Sequence, residues 1–463
     1  MQNYSASSNN GHIEQLSFES LLGDTNDQIS PNTQVNQITT KANRETFPIH
    51  LVSDFERFMD YIEQHKIHLT NTNEYISKKH LPAIKDRMSI KTENATSYSQ
   101  QQNYPYIHFF FHIALSGNLI MKAGKFKKLH LVVTERWNTF QKLTDTEKYF
   151  FLLETFWTNA NWEMLLDKQH TGIHYILPDI VENLLDKKSD FCLQLDKETL
   201  VANLIFDWNY FLLYFEWFGL WICEKDQVKI DYFKKKNSYF AKSLTLTDFG
   251  INMLPILMKS RNLLIWNIPL RQEYGEVNPI PGSTLPEEND GLIKTKDQRP
   301  QPFHQAFATL FSKSDLNKSL PRMEQNFTNG VHTFKVAFDD IAWRKIVLSA
   351  KHTMDDLHKV IIRAFQFDDD HLYSFFMDGR KWSKSCIVSP DDRSGKPNAA
   401  ETMIGSVGLY CGQRFLYLYD YGDEWKFTVI VDDIQETASD PTTPYIAEAV
   451  GYGPDQYFLI DDK

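Results

Sequence analysis

The chain has 463 residues, 42% of them hydrophobic and 14% aromatic, with 33 phenylalanines. That is enough apolar material for two or three domains with large cores, and it excludes disorder of the chain as a whole. The formal net charge is −11, and residues 331–463 hold 14 Lys+Arg against 22 Asp+Glu, a balance of −8 that makes the C-terminal third a poor surface for phosphates.

Residues 1–46 are rich in Ser, Asn, Gln and Thr and read as a disordered tail. Met1–Ser30 has neither the apolar core nor the basic start of a secretory leader, which predicts a cytoplasmic protein. Order is expected from Phe47, and residues 47–271 read as a helical region. His50–Gln64 places Leu51, Phe55, Phe58, Met59 and Ile62 at helical spacing, with Ser53 as N-cap. Tyr104–Leu115 is a strongly apolar helix, followed by Gly117 and the basic stretch Lys122, Lys125, Lys127 and Lys128. Leu129–Phe140 alternates like a strand ending in a turn. Thr144-Asp145 then caps a helix expected to run through Leu166.

Leu204–Cys223 is twenty residues long and mostly apolar, but Asp207, Asn209 and Glu216 interrupt it. Each charge at bilayer depth costs about 2.5–3.5 kcal/mol, so the run reads as a long buried helix and not as a membrane span. It leads to Gly219-Leu220, a basic turn with Lys234, Lys235 and Lys236, and then Leu246-Thr247-Asp248-Phe249-Gly250. A helix ending in Gly-Leu, two strands, and a Leu-Thr-x-x-Gly opening of the next helix resemble the end of a winged-helix domain. Leu129–Phe140 is a looser copy, with Trp137 in place of the last glycine. The resemblance implies that the lysines at 125, 127, 128, 234, 235 and 236 lie on wings, where such domains touch DNA phosphates. Without it, the same lysines are solvated surface and the region an unclassified helical domain.

Residues 272–330 read as a Pro- and Gly-punctuated linker with a short helix at Phe303–Phe311. From Val331 the pattern changes. Val331–Asp339 and Ile341–Ala350 read as paired strands. Thr353, with Asp356, caps a helix whose stripe is Leu357, Val360, Ile361, Ala364 and Phe365. His371–Met377 and Trp382–Val388 read as further strands. Arg414–Val431 reads as a hairpin turning at Gly422-Asp423-Glu424, with Phe415, Tyr417, Tyr419 and Tyr421 on one face. The fold expected is α+β: an all-α N-terminal region with winged-helix-like parts, then a mixed sheet with a helix on one face at residues 331–463.

Four ordered motifs carry a resemblance in this last part. They are Trp343-Arg344, Leu357-His358, the segment Asp369-Asp370-His371-Leu372-Tyr373-Ser374-Phe375, and the run Tyr417-Leu418-Tyr419-Asp420-Tyr421-Gly422-Asp423-Glu424-Trp425. Together they resemble the plasmid pRiA4b ORF-3-like family, which implies a plasmid or mobile-element setting. The Glu448–Tyr457 segment departs from that family's usual acidic end.

For chemistry, Asp420, Asp423 and Glu424 sit at a spacing that can converge on one hard cation, with Asp370 or His371 as a further ligand or base. The competing reading makes them turn residues bonded to backbone N–H groups. Trp343, Arg344, Tyr419 and Trp425 complete the candidate pocket or partner site, and Arg344 is placed to pair with Asp420 or to grip an anion. His108 and His112 have zinc-ligand spacing but no third ligand, so packing is expected. Cys192, Cys223, Cys386 and Cys411 form no C-x-x-C pair and read as free thiols. No phosphate-cradling loop or nucleophile elbow is present. These features point to a non-enzymatic accessory or adaptor protein that binds DNA or a protein, with no membrane and no required cofactor. The alternative is a metal-assisted hydrolase, with a divalent cation at Asp420 and Asp423.

Overall fold

The computed structural model describes residues 47–91, 95–96, 98–124, 128–168, 172–186, 192–195, 205, 208, 210–233, 239–276, 279–283, 301–320, 327–436 and 440–457. The tail expected over 1–46, residues 284–300 of the expected linker, and Lys125, Lys127, Lys234, Lys235 and Lys236 lie outside them.

Helix α1 (Ile49–Gln64) buries the expected stripe. Its N-cap is Pro48, not Ser53, which lies a turn inside and donates its hydroxyl to Ile49 O at 3.2 Å. After α2 (Leu81–Arg87) and α3 (Pro105–Ser116) come strands β1 (Ile120–Ala123) and β2 (His130–Val133), then α4 (Glu135–Phe140). Helix α5 (Asp145–Glu154) has the expected cap, with Thr144 and Glu147 bonding each other's backbone N–H. It does not run on to Leu166. A π-helical turn at Thr155–Asn159 ends it, and Asn161 accepts from Met164 N to start α6 (Trp162–Leu166). Next come α7 (Ile173–Asp186), β3 (Cys192–Gln194), α8 (Phe211–Trp217), β4 (Trp221–Lys225), α9 (Gln227–Phe233) and β5 (Ala241–Leu246). The body closes with α10 (Asp248–Ser260), α11 (Leu263–Trp266) and α12 (Ile268–Glu273).

The long helix expected up to Cys223 is therefore short. Gly219, at φ +73, turns the chain, and Trp221 already belongs to a strand. No helix among the described residues is long and apolar enough to cross a membrane.

The region is not all-α, because two small sheets repeat one arrangement. Leu119 N donates to Ala114 O and Leu220 N to Phe215 O, both at 2.9 Å, across residues in left-handed conformation, Asn118 and Gly219. The hydroxyl of Thr134 then donates to Asn118 O (2.6 Å), and that of Thr247 to Gly219 O (2.5 Å), so each threonine ties the next helix to the preceding turn. In both copies the hairpin is antiparallel and an earlier segment pairs with its second strand. Leu131 N reaches Ile67 O at 2.9 Å in the first copy, and β3 lies beside β5 in the second.

Helix α3 sits where the copies meet and is buried from Pro105 to Ala114. Phe109 packs on Tyr214, Trp217 and Phe218 of the second copy, with ring centroids 4.9, 5.6 and 5.7 Å apart. His108 and His112 lie in this apolar setting. Phe303 and Phe307, on a 3₁₀ turn, join the same core.

The C-terminal domain comprises β6 (Val331–Ala337), β7 (Trp343–Ser349), α13 (Met354–Phe365), β8 (Tyr373–Phe376), β9 (Cys386–Val388), β10 (Arg414–Tyr419), β11 (Trp425–Gln435) and β12 (Tyr445–Val450). Its seven strands run in the order β12-β7-β6-β11-β10-β8-β9. Every pairing is antiparallel, so the expected mixed sheet is corrected: β6–β7 and β10–β11 are hairpins, and β8 enters against β10. Helix α13 has the predicted Thr353–Asp356 capping box. It lays Leu357, Ile361 and Phe365 on Phe334, Phe415, Tyr417 and Phe427. The domain meets the body through charge. Arg380 pairs with Asp167 at 2.6 Å, and Lys384 with Glu273 at 2.8 Å and Glu163 at 3.1 Å.

Two outcomes follow for stability. A Cβ on Gly250 would lie 1.7 Å from Leu220 O. Gly250→Ala should therefore destabilise by about 3 kcal/mol or more, whereas Thr247→Ala, losing a cap, should cost about 1 kcal/mol in urea unfolding. Burial also pushes His108 down to about 4 and His174 down to about 3, from 6.5. Depressed folded values mean that stability is full above pH 6.5 and falls as pH drops toward 4. The loss is about 1.4 kcal/mol per pH unit for each histidine. Urea midpoints from pH 7.5 to 4.5 test this, and a flat profile would refute it.

Candidate functional site

The site is assembled where α13, the loop 366–372 and the end of β10 meet. Asp368, Asp369, Asp370 and His371 lie on the loop. Gln366, in the left-handed conformation at φ 60, terminates α13 and turns the chain into it. The loop rests on buried phenols. The Tyr419 hydroxyl accepts from the N–H of Asp370 (3.1 Å) and His371 (3.3 Å) and donates to Asp368 O. Burial pushes this phenol up to about 12, which keeps it a neutral donor.

Beside it lies a group that the sequence marked only as part of a motif. His358, on α13, is 1% exposed. Its Nδ1 is 2.7 Å from the Tyr417 hydroxyl, and its Nε2 is 2.9 Å from Asp369 Oδ1. A carboxylate can only accept here, so the Nε2 proton points to Asp369 and Nδ1 accepts from the phenol. The ring stacks on Tyr373 with centroids 3.7 Å apart. The Tyr373 hydroxyl donates to Asp355 at 2.6 Å, and Asp355 also holds Lys359 at 2.6 Å. Burial lowers the pKa of His358, while Asp369 works to raise it. The imidazole is thus a neutral bolt joining helix, sheet and loop. The sequence signal was a polar residue inside the stripe of Leu357, Ile361 and Phe365.

At the surface, His371 Nε2 lies 3.4 Å from Asp370 and 3.5 Å from Asp420. Tyr457 donates to Asp370 at 3.2 Å, and Gln456 accepts from Asp368 N at 2.6 Å, so the chain end also braces the loop. The three hairpin acids do not share a focus. Asp420, in left-handed conformation, accepts from Gly422 N at 2.8 Å. Glu424 pairs with Lys381 (2.6 Å) and Lys426 (2.8 Å). Asp423 is exposed and makes no side-chain bond among the described residues. No three His, Cys, Asp or Glu side chains among the described residues converge on a metal position. Tyr421 leaves the hairpin face expected for it and bonds Ser374 at 2.7 Å on the opposite side of the sheet.

Arg344 does not meet Asp420. Its guanidinium donates to Ala364 O (2.9 Å), Trp343 O (3.0 Å) and Val450 O (2.8 Å), closing the end of α13 against the sheet edge. Trp343 carries the Lys335 ammonium 4.2 Å from its ring centroid. Trp425 packs on Phe367, and its buried Nε1 has no hydrogen-bond partner among the described residues. Of the basic candidates that are described, Lys128 is exposed.

The bolt predicts a ranking. His358→Ala should destabilise the full chain by about 2–4 kcal/mol, since it opens a cavity and strands the Tyr417 hydroxyl. Asp423→Ala should stay within about 0.5 kcal/mol. Equal effects in denaturant titration would contradict the assignment of the two roles.

No curated protein matches the chain. One solved structure, of a protein of unknown function from Methanosarcina mazei Go1, is 22% identical. It aligns with 26% of this chain and 69% of its own, with a TM-score of 0.22. Residues 331–456, the sheet domain through the bracing Gln456, match the model of the family described as Plasmid pRiA4b ORF-3-like protein.

Proposed function

We propose that the chain is a non-enzymatic accessory or adaptor protein whose partner is another protein, acting in the cytoplasm of a cell that carries a plasmid or mobile element. In this reading the body is two winged-helix-like units in tandem. Helices α3 and α8 occupy the place of the third helix in each, and β1–β2 and β4–β5 form the hairpins that carry the wings.

One observation carries the choice of a protein over DNA. The third helix is the element such folds lay in a major groove, and here α3 and α8 pack against each other, with Tyr106 and Trp217 4.7 Å apart. Neither helix has a free face of the size a groove requires. The −8 balance of residues 331–463 adds repulsion toward phosphates. Contact through the wing lysines is the remaining route to DNA.

The test pairs two measurements on the full chain. Nuclease-treated affinity capture from source cells should retain a stoichiometric protein partner. Duplex DNA should give no saturable anisotropy change at 150 mM salt. Saturable DNA binding that disappears on joint Lys234→Ala, Lys235→Ala and Lys236→Ala substitution would replace the protein reading with the DNA one.

A further inference from the structure

Strand β12 ends the seven-stranded sheet and, among the described residues, pairs with β7 on one side only. Every residue from Tyr445 to Val450 is exposed, and Glu448 is the single charged one among them. Edge strands of this length are normally blunted by lysines, proline or a covering element. Within the strand the blunting is limited to Glu448 and a bulge at Ala447, with Pro441 and Pro444 just before it. The apolar strip continues past the strand, with Ile341 75% and Tyr452 98% exposed.

The register decides what lies beside this edge. Tyr445, Glu448 and Val450 oppose Val347, Lys345 and Trp343, so they share the sheet face turned away from α13. On that face Lys345 pairs with Asp432 at 3.0 Å, and Glu448 and Asp433 act on the same ammonium. With Asp339 and Asp340 on the loop before β7, carboxylates outnumber Lys335 and Lys345 around the edge. A second copy would bring its own −8 balance against this one.

We infer that β12 is the acceptor edge for an extended segment of a partner protein in which apolar residues alternate with Lys or Arg, added as an eighth strand. This rests on the adaptor reading above and names its docking surface. Backbone N–H and C=O groups of the edge supply the ladder. Ile446 and Ala449, opposite Ile346 and Arg344 on the α13 face, offer the apolar platform, and Glu448, with Asp432 beside it, receives the basic side chains on the other face.

The probe is a fluorescein-labelled decapeptide of alternating Val and Lys, titrated with full-length protein at 150 mM salt. Saturable binding is expected. It should weaken at least ten-fold in Glu448→Lys and in Ile446→Asp, with melting temperatures unchanged. It should be absent for a peptide of the same charge interrupted by two prolines, and for alternating Val and Glu. Four results would overturn the inference: no binding, equal binding by both variants, equal binding of the proline peptide, or a doubled mass in light scattering that blocks the probe. If the probe fails while affinity capture still retains a protein partner, the edge is wrong and the adaptor reading stands. If both fail, the adaptor reading falls with it.

Discussion

Helix α3 has no polar face, and the rest of the body is arranged around that fact. Ten consecutive residues, Pro105 to Ala114, leave water, so neighbours must cover the helix on all sides. Phe55 of α1 covers one side through Phe110, Phe156 of the π-helical turn with Tyr214 and Trp217 of α8 another through Phe109, and Tyr75 a third through His108 and Phe111. One repeat therefore cannot bury its own central helix. The second repeat supplies the missing wall, and in doing so spends the face of α8. Aromatic side chains suit this role, because each buries a large area at little rotameric cost and prefers the edge-on and offset contacts found here.

The C-terminal domain solves a different problem, which is how to hold an acidic loop on an apolar sheet. Phenols are the answer. Tyr417, Tyr419 and Tyr373 present apolar rings to the core and hydroxyls to its rim, where they meet His358, the loop backbone and Asp355. Every group in this chain of bonds has a partner, which is the condition for a buried polar network to add rigidity without the cost of stranded donors. Three aspartates and the His371 imidazole are thereby displayed in fixed positions on the surface.

Charge divides that domain into two sides. Arg380, Lys384 and Lys396 turn toward carboxylates and a carbonyl of the body, Lys396 reaching Glu273 O at 3.0 Å. Because those cations are engaged inward, the outer surface is more acidic than the composition alone suggests. The open edge of β12 lies on that outer side.

The sequence by itself determined the elements whose signal is local. The stripe and capping box of α13, the cap at Thr144 and the β10–β11 pairing are set by residues close together in sequence, and each was legible. Composition could not separate a long apolar helix from a short helix, turn and strand at Leu204–Cys223, since burial asks the same residues of both. Tertiary structure alone decided the site. His358 meets partners 11 and 59 residues away, and Arg344 bonds carbonyls 20 and 106 residues away instead of the adjacent-seeming Asp420. Strand β12 showed no alternation, because neither of its faces is buried, and so it left no periodic trace. Periodicity records which face of an element leaves water; which distant group waits beneath that face is set only when the chain closes.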